Sequence, residues 1–239
     1  IEKDILKKAD ELFGKYDMDI LGGPQLTPED DKYFAKTSGY AMADFFCTAS
    51  MSNRYKKGKL NLDSDENSLT SAICFVKKEV FKKLKGFNLD LFPGEDPEFF
   101  FRAKKQGYKI AYSPEIFIYH RRRPTIKKLV KQSFNYGFTR VKKERALNER
   151  IKALYMLPSL FFVYLVFLIT FGFGFFLGFK LPFYISLSFP GVYLVLVIFS
   201  SIKQIIIYKD PKSIFLLPFV YPLIHLSYGA GFMKGKLKW

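Results

Sequence analysis

Cysteine and histidine are scarce in this chain, which has two of each among 239 residues. Cys47 and Cys74 do not form a Cys-x-x-Cys motif, so the sequence lacks the paired ligand spacing of structural zinc sites and redox centres. Both cysteines lie among apolar or small residues. This setting favours two reduced, buried thiols over a disulfide bond or a metal site.

Acidic residues are almost absent from the C-terminal half. Residues 1–119 contain 19 Lys and Arg and 19 Asp and Glu, whereas residues 120–152 contain 12 basic residues against two acidic ones. Residues 153–239 contain seven basic residues against one acidic residue. The net charge of +16 thus belongs to residues 120–152, the basic belt, and to the tail beyond it. This distribution suits a membrane surface better than a nucleic-acid face. We therefore expect no nucleic-acid partner.

Long uncharged apolar runs follow the belt. Residues 154–179 carry no charge over 26 positions, more than the ~20 residues that span a bilayer. Residues 181–202 are also uncharged, and only Lys180 separates the two runs, so they predict a helical hairpin. A third run, 214–233, contains two prolines and a histidine. The sequence therefore predicts two to three transmembrane helices, together with contacts to membrane lipids.

The basic belt itself predicts an amphipathic helix between residues 125 and 152, interrupted at Gly137. Its profile is typical of a helix in the headgroup region, where each basic residue contributes about 1 kcal/mol near anionic lipid. A solvated basic linker helix is the alternative. The apolar stripe consists of Ile126, Leu129, Val130, Ser133, Phe134 and Phe138, and the basic face consists of Lys127, Lys128, Lys131, Arg140, Lys142 and Lys143.

Positive charge predicts the orientation of these spans, because basic loops stay in the cytoplasm. This rule places the belt and Lys203, Lys209 and Lys212 on the cytoplasmic side. Three full spans would put the C-terminal lysines outside, against the same rule, unless the third run enters the bilayer and returns at its prolines. We predict a multi-pass protein of the cytoplasmic (inner) membrane whose N-terminal part faces the cytoplasm.

Helix and strand patterns alternate in the N-terminal part, which predicts an α/β fold. Gly22 and Gly23 follow the first strand and mark either a tight turn or a close backbone approach. The polar stretch 53–67 predicts a mobile loop, either a lid or ordinary surface. The predicted helices are 1–14 and 77–84, with a loop running into a helix at 27–36, and the predicted strands are 18–21, 68–76, 108–112 and 116–119.

An acidic cluster opens one further predicted helix, residues 94–107. Glu95, Asp96 and Glu98 fall in its first turn, where the helix dipole stabilises negative charge, and Pro97 fits the same turn. Arg102 lies four residues after Glu98 and can pair with this acidic end. Taken alone, the cluster indicates either an acid-capped helix or a catalytic site.

These motifs together resemble the second half of a family 2 glycosyltransferase with a GT-A fold. The resemblance covers about residues 1–145, and the apolar tail fits the membrane-bound branch of the family. It divides the chain into an acceptor-side half of the GT-A domain (1–122), a basic amphipathic interfacial helix region (123–152) and transmembrane helices (153–239). The matching motifs, in order, are Leu21-Gly22-Gly23-Pro24, Lys85-Gly86-Phe87-Asn88, Gly94-Glu95-Asp96, Arg102, Gly107-Tyr108, Tyr112-Ser113-Pro114 and His120.

The resemblance implies inverting transfer of a sugar from a nucleotide-sugar donor. Asp96 would be the general base that deprotonates the acceptor hydroxyl, and Glu95 would position the acceptor or tune Asp96. His120 closes a predicted strand, where it is either structural or a ligand to the metal or diphosphate. Acceptor or phosphate contacts are expected from Arg102, Arg121, Gln132, Tyr136 and Arg140.

The chain departs from the family in lacking a credible Asp-x-Asp motif at the end of a strand. Asp17 and Asp19 precede a strand, and Asp63 and Asp65 lie in a polar loop in the wrong order. We therefore expect the nucleotide-binding half, with the main ligands of a divalent cation (Mg²⁺ or Mn²⁺), to precede residue 1. The 239-residue chain alone is expected to be inactive and to bind no nucleotide sugar in calorimetry; clear micromolar binding would contradict this expectation.

Two classes of function follow. The favoured one is a glycosyltransferase that acts on a lipid-linked, polyprenyl-type, or envelope glycan acceptor at the cytoplasmic face. The other is a non-catalytic membrane scaffold, or a component of a processive polysaccharide synthase or export complex. Synthases of that kind carry Gln-x-x-Arg-Trp after the Glu-Asp pair, whereas the comparable stretch here, residues 132–136, has no Trp. The oligomeric state and the sugar do not follow from the sequence.

Overall fold

The computed structural model of this chain describes residues 3–178 and 180–238. The predicted helix 1–14 and the predicted span 154–179 therefore extend past the described residues at one end. The described residues form two compact units, and the chain passes from the first to the second after Pro124.

The boundary between the units lies two residues beyond the predicted end of the α/β part. The helix of the basic region 123–152 lies in the same unit as the apolar helices. Each unit is described separately below.

The first unit contains short strands, helices and long connections. The predicted helix and strand order is found, although the strands are shorter than predicted. Its elements are α1 (Ile5–Lys15), β1 (Ile20–Gly22), β2 (Gln25–Leu26), α2 (Tyr33–Met42), α3 (Phe45–Thr48), a 3-10 turn (Ala49–Arg54), β3 (Cys74–Val76), α4 (Lys78–Lys83), a 3-10 turn (Leu89–Leu91), α5 (Glu95–Lys105), β4 (Ile110–Tyr112) and β5 (Ile118–Tyr119).

Strand β1 is the centre of a three-stranded sheet. It pairs antiparallel with β3, where Leu21 lies opposite Phe75, and parallel with β4, where Leu21 lies opposite Ala111. Strands β2 and β5 form a separate parallel pair. The predicted strand 68–76 is thus realised only in its last three residues.

Both faces of the three-stranded sheet are covered by helices. Neighbouring residues of a strand point to opposite faces, so Ile20 and Leu21 pack on different sides. Ile20 belongs to a buried cluster with Phe99 and Phe100 of α5. Leu21 belongs to a second cluster with Ile5 and Ala9 of α1. Fully burying a side chain such as Phe stabilises the fold by about 1.5–3 kcal/mol. The first cluster holds α5, and with it the acidic cluster, against the sheet.

The stretch 53–67, predicted to be mobile, is bonded to the edge of the sheet. Asn61 and Tyr112 exchange two backbone hydrogen bonds of 2.9 and 2.8 Å, and Ser64 N donates to the carbonyl of Ile110 at 2.8 Å. The Tyr112 hydroxyl accepts a hydrogen bond from the amide of Gly58 at 3.0 Å. Its polar residues are exposed at 57–63, whereas Arg54, Glu66 and Asn67 are buried.

Gly23 marks a close backbone approach, one of the two alternatives left by the sequence. A Cβ atom there would lie 1.6 Å from the carbonyl oxygen of Ile116 and 2.6 Å from that of Ser113. No other residue type has room between these groups. The end of β1 can therefore pass directly beside the turn that joins β4 to β5.

The second unit is helical. Within the described residues, two helices are long and apolar enough to cross a membrane, with candidate spans Ala153–Thr170 and Phe183–Tyr208. The third predicted span, 214–233, is not among them; its run contains Pro218, Pro222 and His225, which make it less apolar. The elements are α6 (Ile126–Ala146), α7 (Ala153–Phe176), α8 (Lys180–Tyr208), a 3-10 turn (Pro211–Phe215) and α9 (Leu217–Lys238).

Glycines bring α9 into close contact with α6 and α7. The sequence predicts that Gly137 interrupts α6, but the helix continues through it. A Cβ atom on Gly137 would lie 2.1 Å from the carbonyl oxygen of Tyr228, and one on Gly231 would lie 2.0 Å from that of Phe134. Small residues permit such an approach between helix backbones. Gly137 is therefore a packing residue rather than a helix breaker.

We expect Gly137→Ala to destabilise the helical unit by about 1–3 kcal/mol, because the new methyl group overpacks the contact with α9. Gly191→Ala is the matched control: Gly191 also lies inside a helix of this unit, and a Cβ atom there has no neighbour within 4 Å. The control is expected to gain about 0.5–1 kcal/mol. Thermal unfolding of both variants in detergent, followed by circular dichroism, tests the difference; equal midpoints would contradict it.

Candidate active site

The acidic cluster forms the first turn of α5, as the sequence predicts. Gly94 is the residue before the helix, and Glu95, Asp96 and Glu98 follow in the first turn. The amide of Gly94 donates a 2.8 Å hydrogen bond to the Glu95 carboxylate. Glu95 therefore caps the helix start, where backbone N–H groups have no partner inside the helix.

Asp96 faces residues from two distant parts of the first unit. Its Oδ2 atom accepts a hydrogen bond from the amide of Ser71 at 3.3 Å and lies 3.8 Å from Nη1 of Arg54. Within residues 3–178 and 180–238, Oδ1 of Asp96 has no hydrogen-bond partner. The side chain is 16% exposed. Both contacts thus fall on one carboxylate oxygen, Oδ2.

Arg102 forms the predicted ion pair with Glu98 and is bound within the domain. Its Nε and Nη2 atoms donate to the two Glu98 oxygens at 2.8 and 3.0 Å. It also donates to the carbonyl of Gly86 at 2.9 Å and to that of Leu84. Two of these hydrogen bonds therefore stay within α5 and two hold α5 to the turn after α4, while the expected contact of Arg102 with an acceptor stays a prediction.

Both cysteines are free thiols, as the sequence predicts, but only Cys47 is buried as expected, whereas Cys74 is half-buried. Burial, together with the charge of Asp96, raises the pKa of the Cys74 thiol to about 11. Burial also raises the pKa of Cys47, and Asp44 adds to this effect. The negative charge of Asp96 therefore acts on the Cys74 thiol.

We expect Cys74 to react slowly with iodoacetamide, because only roughly a thousandth of it is thiolate at pH 8 when its pKa is about 11. The rate should rise about tenfold per pH unit up to pH 10. Asp96→Asn removes a negative neighbour and should accelerate the reaction at pH 8 several-fold. Cys47 is the internal control, since its rate should not change; peptide mass spectrometry resolves the two. An unchanged Cys74 rate would contradict the predicted proximity.

His120 follows β5 and lies on the surface. Its amide donates to the carbonyl of Leu26 at 2.8 Å. Partial burial of the ring and the neighbouring Arg122 lower the pKa of His120, so it is neutral at pH 7. The described ranges contain no group of three or more His, Cys, Asp or Glu side chains that could hold a metal ion. The residues described do not themselves fit a cation site, and the metal role of His120 stays a prediction.

The next two arginines pair with side chains of the β2–α2 connection. Arg121 donates to Asp30 at 2.6 Å and lies 3.6 Å from Asp31, and the hydrogen bond that it donates to Asp30 raises its pKa. Arg122 is buried and donates to Gln25 and to Thr27. Arg121 thus remains exposed and reachable, whereas Arg122 joins β2 to β5.

Residues of the basic helix differ from the predicted interfacial arrangement. Gln132 donates to the Tyr136 hydroxyl at 3.1 Å, and both side chains are half-buried. Arg140 is buried, lies 3.5 Å from Glu144 and stacks over the Tyr155 ring at 4.1 Å. Its assignment to a solvent-facing basic side of the helix is therefore wrong, because the helix packs inside the unit on this side.

The two rejected Asp-x-Asp sequences have structural partners. Asp17 pairs with Lys109, and this hydrogen bond lowers the pKa of Asp17. Asp19 lies 3.1 Å from Nζ of Lys77 and accepts the amide of Lys109 at 2.9 Å. Asp63 lies 3.0 Å from Nζ of Lys104.

The sequence does not predict Arg54 and Ser71 as neighbours of Asp96. They lie 42 and 25 positions before it in the chain, Arg54 in the polar stretch 53–67 and Ser71 in the predicted strand 68–76. The only signal was an arginine in a polar stretch, and such residues are common on surfaces. The contact depends on the way the 3-10 turn Ala49–Arg54 returns to the start of α5.

The comparison with protein families agrees with this geometry. Residues 1–202 match glycosyl transferase family group 2. The chain therefore belongs to this family, and the match includes the first unit, α6, α7 and most of α8.

A particular relative is the dolichyl N-acetyl-alpha-D-glucosaminyl phosphate 3-beta-D-2,3-diacetamido-2,3-dideoxy-beta-D-glucuronosyltransferase of Methanococcus voltae, which is 28% identical over 156 residues. The match covers 64% of this chain and 42% of that enzyme, so the chain spans less than half of its relative's length. No solved structure matches the chain at a significant level.

Proposed function

We propose that this chain is the acceptor-side part of an inverting glycosyltransferase that uses a nucleotide-sugar donor. The observation that carries the proposal is Asp96: a carboxylate at a helix start, anchored through Oδ2 and with Oδ1 available. A general base needs one oxygen within reach of the proton it accepts. Membership of the glycosyltransferase family supports this reading.

In the proposed reaction, a hydroxyl of the acceptor attacks the anomeric carbon of the donor sugar. The O–H bond breaks and its proton passes to Asp96, while the new C–O bond forms. The bond from the anomeric carbon to the nucleoside diphosphate breaks, and that group leaves with the electron pair. The family implies a divalent cation that would stabilise the departing charge. Among the described residues, no group of three or more His, Cys, Asp or Glu side chains could hold this cation.

We further propose a lipid-linked acceptor and a cytoplasmic active site at the cytoplasmic (inner) membrane. Two helices of this chain are long and apolar enough to anchor it in a bilayer. The name of the Methanococcus voltae enzyme describes transfer to dolichyl N-acetylglucosaminyl phosphate, a lipid-linked sugar. Lysines between α8 and α9 favour a cytoplasmic position for that connection.

The test is a lipid-acceptor assay with membranes that contain the full-length natural protein. The probes are dolichyl N-acetyl-α-D-glucosaminyl phosphate as acceptor and a panel of radiolabelled nucleotide sugars as donors. Transfer of one sugar into the organic-solvent extract supports the proposal. A ladder of longer products would favour a processive synthase, and no transfer from any donor would favour the non-catalytic scaffold.

A further inference from the structure

A buried arginine lies beside the candidate base. The Arg54 side chain is 7% exposed and stands at the end of the 3-10 turn Ala49–Arg54. Its Nε atom donates to the carbonyl of Asn67 at 3.1 Å, and Nη2 donates to the carbonyl of Glu66. Nη1 is the atom directed at Asp96, 3.8 Å from Oδ2.

The two carbonyl contacts fix the plane of the guanidinium group. A planar, forked donor held at two of its nitrogens can present the third in only one direction. A lysine would supply charge but not this geometry. The arrangement therefore orients the Asp96 carboxylate in addition to balancing its charge, and a carboxylate so little exposed needs such a partner.

We infer that Arg54 is a positioning residue for proton transfer. With the amide of Ser71, it holds Oδ2 of Asp96 and so presents Oδ1 to the acceptor hydroxyl. Arginine does not lose its proton in proteins, so it orients the base without competing for the transferred proton. This inference rests on the proposed function, in which Oδ1 receives the acceptor proton as the glycosidic bond forms.

The test is a double-mutant cycle in the lipid-acceptor assay. The full-length protein is compared with its Arg54→Gln, Asp96→Asn and doubly substituted variants, using the acceptor and donor probes named above. In the wild-type background, Arg54→Gln should lower kcat on the order of 100-fold, because a small misplacement of a reacting group has this effect. KM for the acceptor should change little, because Arg54 does not contact it. In the Asp96→Asn background, Arg54→Gln should have little further effect.

Arg54 also bonds to two backbone carbonyls, so a structural role must be separated from positioning. Arg54→Lys keeps the charge and should lose less activity than Arg54→Gln. Hydrogen exchange of residues 61–71 reports whether each variant keeps the local fold. If Arg54→Gln loses the local fold, Arg54→Lys takes its place in the cycle. Equal fold-losses in both Asp96 backgrounds would overturn the inference.

The cycle also separates this inference from the proposed function. Full activity of Arg54→Gln beside an inactive Asp96→Asn variant overturns the inference and leaves Asp96 as the base. Full activity of Asp96→Asn overturns the assignment of the base, and the inference with it.

Discussion

Asp96→Asn should lower kcat in the lipid-acceptor assay by about 100- to 10,000-fold, the range in which a general base contributes. Asparagine has the same shape and can still accept the hydrogen bond from the Ser71 amide. It cannot take the acceptor proton. The substitution therefore removes the chemistry and keeps the geometry, and the measurement is the rate of sugar transfer by the full-length protein at saturating donor.

Asp63→Asn is the matched control for this prediction. Asp63 is an exposed carboxylate of the same unit and is paired with Lys104. Its substitution should leave transfer within about twofold of wild type, because surface changes rarely alter stability by more than ~0.5 kcal/mol. A normal rate for Asp96→Asn, or equal losses for both variants, would refute the role given to Asp96.

Glu98→Gln should weaken α5 by about 3–5 kcal/mol, because it leaves the Arg102 guanidinium without its carboxylate in a largely buried site. The Glu98 side chain is 5% exposed and that of Arg102 is 24% exposed. Hydrogen exchange of residues 95–105 is the measurement. Protection should fall on the order of 100-fold or more, since each 1.4 kcal/mol corresponds to a factor of ten.

The ion pair between Lys104 and Asp63 provides the comparison on the same helix. It is exposed, with side-chain accessibilities of 39% and 94%, and such pairs contribute about 0.2–1 kcal/mol. Asp63→Asn should therefore change the exchange of α5 by less than tenfold. Similar exchange in the Glu98→Gln and Asp63→Asn variants would show that the buried pair does not hold the helix.

Helix α5 could be predicted from the sequence because its signals are local. A glycine, three acidic residues and a proline indicate its start, and Gly107 indicates its end. The structure has the helix at Glu95–Lys105. The pairing of Glu98 with Arg102 follows in the same way from their spacing of four residues.

Strand length and loop order could not be predicted, because they depend on backbone partners distant in sequence. The apolar residues of 68–76 indicate burial, and Leu69 is fully buried, but only Cys74–Val76 finds a neighbouring strand. The stretch 53–67 is polar in its side chains and ordered through its backbone. The pattern of apolar and polar side chains shows neither which residues pair with a neighbouring strand nor which loop residues form backbone hydrogen bonds.

The candidate site could be predicted in part. The local motif is enough to select Asp96 as the candidate base. Its contact with Arg54 depends on the folded path of the intervening 41 residues. The basic helix shows the same limit. Its charges suggest a surface helix, yet Arg140 and Lys143 are buried beside Glu144. The sequence of the helix alone does not show that α9 packs against it, so this burial could not be predicted.

The glycine contacts between α6 and α9 have a mechanical consequence. Where Gly137 and Gly231 lie, main chain rests on main chain with no side chain between them to change rotamer and absorb a displacement. At this point α6 and α9 cannot slide or rotate independently, so they move as one rigid pair. A displacement of α6 at this point is therefore expected to move α9 with it.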